Sequence, residues 1–127
     1  MKKDVVLLVV GLLALAPAVC AAVEVGEFKA QGDFGVSMKI KAIDRKSNDV
    51  RADLSIRRPG CLGDFSGAGR LQGNVLKLKS IETDYADNKC VITIVFDDTG
   101  KQAVVKEEEC MCWHGASCGY EGKLQKK

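Results

Sequence analysis

The stretch ECMCWHGASCGYEG, Glu109 to Gly122, gathers three cysteines with the chain's single histidine and single tryptophan between Cys110 and Cys118. Four kinds of chemistry are open to it. Cys110, Cys112, His114 and Cys118 form a C-x-C-x-H-x3-C series of side chains that bind zinc or copper, and Met111 adds a soft thioether. Cys112 near His114 supplies a thiol and a base, the elements of nucleophilic catalysis. A rigid loop displaying Trp113 and His114 would be a recognition surface, because a large preorganised aromatic makes a good interface anchor. The last reading is a cross-linked hairpin end, in which Trp113 tucks back as a lid.

The compartment bears on the choice. Residues 1–22, MKKDVVLLVVGLLALAPAVCAA, open on Lys2 and Lys3, pass through an apolar block from Val5 to Ala16 and end in small residues, the pattern of a secretory signal peptide. The block is shorter than the ~20 apolar residues a membrane-spanning helix requires. Cys20 would be a lipid-anchor site only within a lipobox, and Pro17-Ala18-Val19 places a β-branched residue where glycine or alanine belongs. The expectation is therefore an exported, periplasmic protein, with membrane attachment only if Cys20 is acylated. Residues 23–127 then form a single domain with 17 basic and 16 acidic residues and five cysteines. In an oxidising compartment those cysteines favour disulfides over metal thiolates, and the odd count leaves one over. The two signs of charge alternate along the chain, so neither nucleic acid nor an anionic membrane is an expected partner. A protein surface is the expected one.

Short alternating segments separated by turn signals predict an all-β domain, a small antiparallel meander of about eight strands forming a barrel or sandwich. Candidate strands are Val23–Ala30, Phe34–Ile43, Val50–Arg57, Cys61–Gln72, Val75–Ile81, Cys90–Phe96, Lys101–Glu109 and Gly119–Leu124, with turns at 31–33, 44–48 and Gly73-Asn74. Val91 to Phe96 is almost continuously apolar and reads as the most central strand, whereas Glu107-Glu108-Glu109 reads as solvated. Gly63, Gly67 and Gly69 share one face of their strand, which implies strong curvature or the close approach of another backbone.

Hairpin arithmetic places Cys110 and Cys118 symmetrically about His114, across the mouth of the loop MCWHGAS. It predicts a Cys110–Cys118 disulfide, with Cys61–Cys90 as the second bridge and Cys112 as the spare thiol, unless Cys112 replaces Cys110 as the partner of Cys118. No paired carboxylates, G-x-S-x-G or other catalytic motif is present, so no enzyme activity and no cofactor is expected.

The segments GCLGDFSGAGRLQGNVLKLKS, CVITIVFDDTGKQAVV and ECMCWHGASCGYEGKL together resemble a group of small exported bacterial β proteins whose last segment has the form C...HG..CG(Y or F).G. That group is loosely similar to the periplasmic lysozyme-inhibitor-type proteins. The resemblance covers residues 60–125 and implies a disulfide-bonded periplasmic β-barrel. The membrane-bound inhibitors of c-type lysozyme use a loop that begins Ser-Gly-Ala, matched here by Ser66-Gly67-Ala68. The aromatic, lysine and glycine stretch that follows in those inhibitors is replaced by Leu71-Gln72-Gly73-Asn74. The implied function is binding and inhibition of a wall-cleaving hydrolase, or immunity against a delivered effector. Ser66 and Arg70, or Trp113 and His114, are the candidate contacts. A copper or zinc protein using Cys110, Cys112, His114 and Cys118, and a structural envelope protein, are the alternatives.

Overall fold

A computed structural model of the chain describes residues 22–30, 35–82 and 89–127. The expected signal peptide with Cys20, the turn at 31–33 and Phe34 lie outside the described residues, apart from Ala22. Eight strands follow in chain order: β1 (Gly26–Ala30), β2 (Val36–Asp44), β3 (Asp49–Arg58), β4 (Cys61–Gln72), β5 (Val75–Ser80), β6 (Val91–Phe96), β7 (Gln102–Glu108) and β8 (Gly122–Lys126). Each pairs antiparallel with the next, and β1 pairs with β8, closing the sheet into a barrel. The predicted all-β meander is thus a barrel rather than a sandwich. Closure removes the unpaired edge strands that an open sheet exposes.

Alternating side chains decide which residues fill the interior. Phe28, Met38, Ile40, Leu54, Ile56, Phe65, Leu76, Leu78, Ile92, Ile94 and Phe96 are all within 1% of complete burial, whereas their neighbours along each strand face outward. In a closed barrel no strand is central, which corrects the expectation for β6. Its Ile92, Ile94 and Phe96 point in, and its Val91, Thr93 and Val95 form part of the outer wall, half-buried. Ile81, the last residue of the candidate strand, lies beyond the end of β5 at Ser80 and is 46% exposed. A register shift between Ile40 and Ala42 marks a bulge in β2, where the pleat must adjust to closure.

Aromatic rings occupy the interior in two groups. Phe28 and Phe96 meet edge-on at 5.8 Å, and Phe65 lies between Trp113 at 5.6 Å and Tyr120 at 6.2 Å. The inward glycines of β4 make room for the second group: a Cβ on Gly67 would collide with the Phe65 ring, and one on Gly69 would run into the Lys77 carbonyl of β5. Close backbone approach is therefore what the glycine spacing encodes. Gly69→Ala is expected to destabilise the barrel by about 1–3 kcal/mol, the usual range for overpacking. It would be read as a lower urea midpoint at unchanged m-value; a variant as stable as the parent would contradict this packing.

Candidate functional site

The residues with chemistry meet at one end of the barrel, where the connection from β7 to β8 crosses over the start of β4. The β7–β8 ladder runs from Gln102 opposite Gln125 to Val105 opposite Gly122 and stops there. The connection consequently spans 109–121 rather than a seven-residue loop, and β8 begins later than predicted. Cys110 and Cys118 do not face each other. The disulfides are Cys61–Cys118 and Cys90–Cys110, with Cα separations of 6.1 and 4.5 Å, which corrects both predicted pairings while using the same four cysteines. The register explains the exchange. Glu108 lies opposite Val91 at the start of β6, so Cys110 emerges beside Cys90. After a 3-10 turn at Met111–Trp113, an isolated antiparallel bridge between His114 and Gly63 lays the chain along β4 and brings Cys118 to Cys61. Gly63 is required at that crossing, because a Cβ there would lie 2.7 Å from the Trp113 carbonyl oxygen and from the His114 Cβ. The bridges close loops of 57 and 20 residues, for which the chain-entropy estimate gives about 4 and about 3 kcal/mol of stabilisation.

Trp113 and His114 are not an exposed apex. Trp113 is 7% exposed and packs edge-on against Phe65, the lid arrangement. The His114 side chain is 3% exposed. Its Nε2 lies 2.8 Å from Glu107 Oε2 and its Nδ1 2.6 Å from the Gly115 carbonyl oxygen. A neutral imidazole can donate from only one nitrogen, and both here face acceptors, so the geometry favours the imidazolium. Burial alone would lower the pKa; the Gly115 carbonyl and the Glu107 hydrogen bond and charge outweigh it and hold the pKa above the ordinary value.

Glu107 corrects the solvated reading of Glu107-Glu108-Glu109. Its side chain is 11% exposed, and its Oε1 accepts the Tyr120 backbone N–H at 2.6 Å. Tyr120, fully buried, donates its hydroxyl to the Trp113 carbonyl at 2.6 Å, and burial pushes its phenol pKa far above the ordinary range. The signal for Glu107 was present in the alternation of β7, since Ala103, Val105 and Glu107 share the inward parity. No comparable signal marks Tyr120.

The four candidate contacts are not brought together. Ser66 and Arg70 stand on the outer face of β4, about 13 Å apart along a strand, while Trp113 and His114 lie within the barrel end. Ser66-Gly67-Ala68 is not a loop but mid-strand, paired with β3 on one side and, from Gly67 onward, with β5 on the other. Ser66 lines a depression of about 450 Å³ between β1 and β4, and Arg70 one of about 730 Å³ over β3 and β4. Arg70 Nε is 3.5 Å from Asp49.

The metal series is dispersed, with Cys110 and Cys118 in separate disulfides and His114 committed to Glu107 and Gly115. Among the described residues no cluster of three or more metal-ligating side chains forms. Cys112 is free and exposed, and His114 has no ring nitrogen left to serve it as a base. Comparison with protein-family models, curated proteins and solved structures finds no match. Two disulfides place the folded chain in an oxidising compartment.

Disulfide mapping of the unreduced protein should recover peptides linked Cys61–Cys118 and Cys90–Cys110, with alkylation confined to Cys112; a Cys110–Cys118 peptide would overturn the crossing described above. The buried pair also sets a pH dependence. The His114 pKa is raised above 6.5 in the fold, so its contribution to stability is complete below that value and declines as pH rises through the folded pKa. Thermal midpoints should therefore fall as pH rises above about 6.5. His114→Leu, which strands the Glu107 carboxylate, should cost about 3 kcal/mol near neutral pH and remove that decline. An unaltered pH profile in the variant would show that the pair does not carry it.

Proposed function

We propose that this is an exported, periplasmic protein that acts by binding another protein, as an inhibitor of a wall-cleaving hydrolase such as a lysozyme. The observation carrying this reading is the outer face of β4, where Ser66 and Arg70 line two neighbouring depressions on a wall whose backbone is paired to β3 and β5. A hydroxyl and a guanidinium on so constrained a support lose little freedom on binding, which favours affinity. Asp49 holds Arg70 only through a long 3.5 Å contact, and both side chains are more than half exposed. A carboxylate in a hydrolase cleft, offering bidentate geometry, would be the better partner for that guanidinium.

The reading is of binding rather than catalysis. It rests on how the largely buried pair is committed: His114 and Glu107 satisfy each other at 2.8 Å while Glu107 also accepts the Tyr120 N–H, and their role is to hold the barrel end. Immunity against a delivered effector uses the same wall and differs only in whose enzyme is blocked.

Turbidity assays of cell-wall lysis with c-, g- and i-type lysozymes test the proposal. Micromolar protein is expected to slow at least one of them, Arg70→Glu to weaken inhibition by about tenfold or more, and Ser66→Asp to weaken it without loss of fold. Trp113→Ala should act only in proportion to the stability it removes. Full lytic rates in the presence of the folded protein, for all three enzyme types, would remove the lysozyme reading.

A further inference from the structure

The two signs of charge alternate along the chain, but the barrel sorts them. Every exposed ion pair among the described residues falls on the side built from β1 to β4 and the C-terminal residue: Lys41–Asp53, Arg57–Asp64, Arg70–Asp49 and Lys127–Glu27. The wall built from the outer faces of β5, β6, β7 and β8 has none. It carries four exposed lysines, Lys77, Lys79, Lys106 and Lys123, against one carboxylate, Glu108.

Register fixes what lies between those lysines. Val75 faces Val95, Val95 faces Val104, and Val104 faces Lys123, making one apolar row across the wall. The next row runs Lys77, Thr93, Lys106, and the one after it Lys79, Val91, Glu108. Val104 is 40% exposed and the other three valines are half-buried. An apolar strip is thus flanked along one side by Lys77 and Lys106 and at its end by Lys123, none of them in an ion pair among the described residues.

We infer that the β5–β8 wall is a docking face for an anionic lipid surface, seating its valine row at the interface and its lysines among phosphate headgroups. The composition of the wall separates this occupant from a protein. Protein interfaces are enriched in aromatic residues, methionine and arginine at their centres and are depleted in lysine; this wall has no aromatic side chain and no arginine, and its positive charges are all lysine. Lysine is a mobile point charge without the planar fork that reads a fixed carboxylate, and laterally mobile phosphates can meet any arrangement of such charges. A second copy of the chain is disfavoured by the same excess of positive charge. Long lysine stems also extend their ammonium groups outward while their methylenes cover apolar surface, which suits a lipid interface. This wall is a different one from that used by the hydrolase reading, and the two walls meet at the β4–β5 seam, where Arg70 lies opposite Lys77.

Sedimentation of vesicles with the protein recovered from the cell envelope tests it. Binding is expected to vesicles containing phosphatidylglycerol, to be weak with phosphatidylcholine alone, and to fall in high salt. Each basic residue near an anionic surface contributes about fivefold in partitioning, so Lys77→Gln with Lys106→Gln should weaken binding by about 25-fold. Lys46→Gln, which removes the same charge from the β2–β3 turn, should leave it nearly unchanged. Val104→Asp should weaken it further. Vesicle binding that ignores the wall substitutions would assign attachment to another part of the chain and overturn the inference. No binding to anionic vesicles, with capture by polyglutamate instead, would identify an acidic protein as the partner and also overturn it.

Discussion

Closure of the sheet is the constraint from which the rest of this structure follows. Once β1 pairs with β8, every strand has two neighbours and the inside becomes a volume of fixed width that must be filled from alternate positions. The inward side chains are accordingly mostly large and apolar, and on β4 glycines at 63, 67 and 69 yield space to aromatic rings and to neighbouring backbone. Closing the wall leaves the two ends to be covered. Val23 is completely buried at one of them, with Arg45 donating to its carbonyl at 2.9 Å, and the β7–β8 connection crosses the other.

That crossing explains why histidine, glutamate and tyrosine are found where a lid of plain hydrophobics would have covered the opening. The connection has no neighbouring strand along most of its length, so its backbone groups need side-chain partners. Glu107 accepts the Tyr120 N–H, His114 approaches the Gly115 carbonyl, and Tyr120 donates to the Trp113 carbonyl. A buried carboxylate serving that role requires its own counter-charge, and the imidazolium supplies it. The disulfides fasten the same segment at both ends, Cys110 to the start of β6 and Cys118 to the start of β4.

The strands were largely legible because period-two alternation is a local property, read correctly over β2, β3, β4 and β5 with boundaries shifted by a residue or two. The disulfide partners were not, because hairpin symmetry assumes that the ladder continues to the cysteines. It stops at Val105 and Gly122, and what then guides the chain is a contact with Gly63 on a strand far back in sequence. Glu107 departs from its local pattern for a different reason: three consecutive glutamates look like a solvated run, and only the parity of β7 shows that the first of them turns inward. Trp113 and His114 could be assigned to a lid or to a contact surface only once the 3-10 turn was known to fold over Phe65.

Charge distribution shows the same limit from the outside of the molecule. Alternation along a strand sends every second residue to solvent, so a chain of evenly mixed charge can still build two unlike walls. Which outward residues become neighbours depends on register across strands, and in a meander that register is set by turns such as Gly73-Asn74, which places Gln72 opposite Val75 and whose Asn74 is bonded to Phe96 of β6. Glu107 sharpens the asymmetry, because turning inward to meet His114 removes a carboxylate from the surface of β7. The pairing that closes the barrel end therefore leaves Glu108 as the one carboxylate beside Lys106 on the outer face of β7.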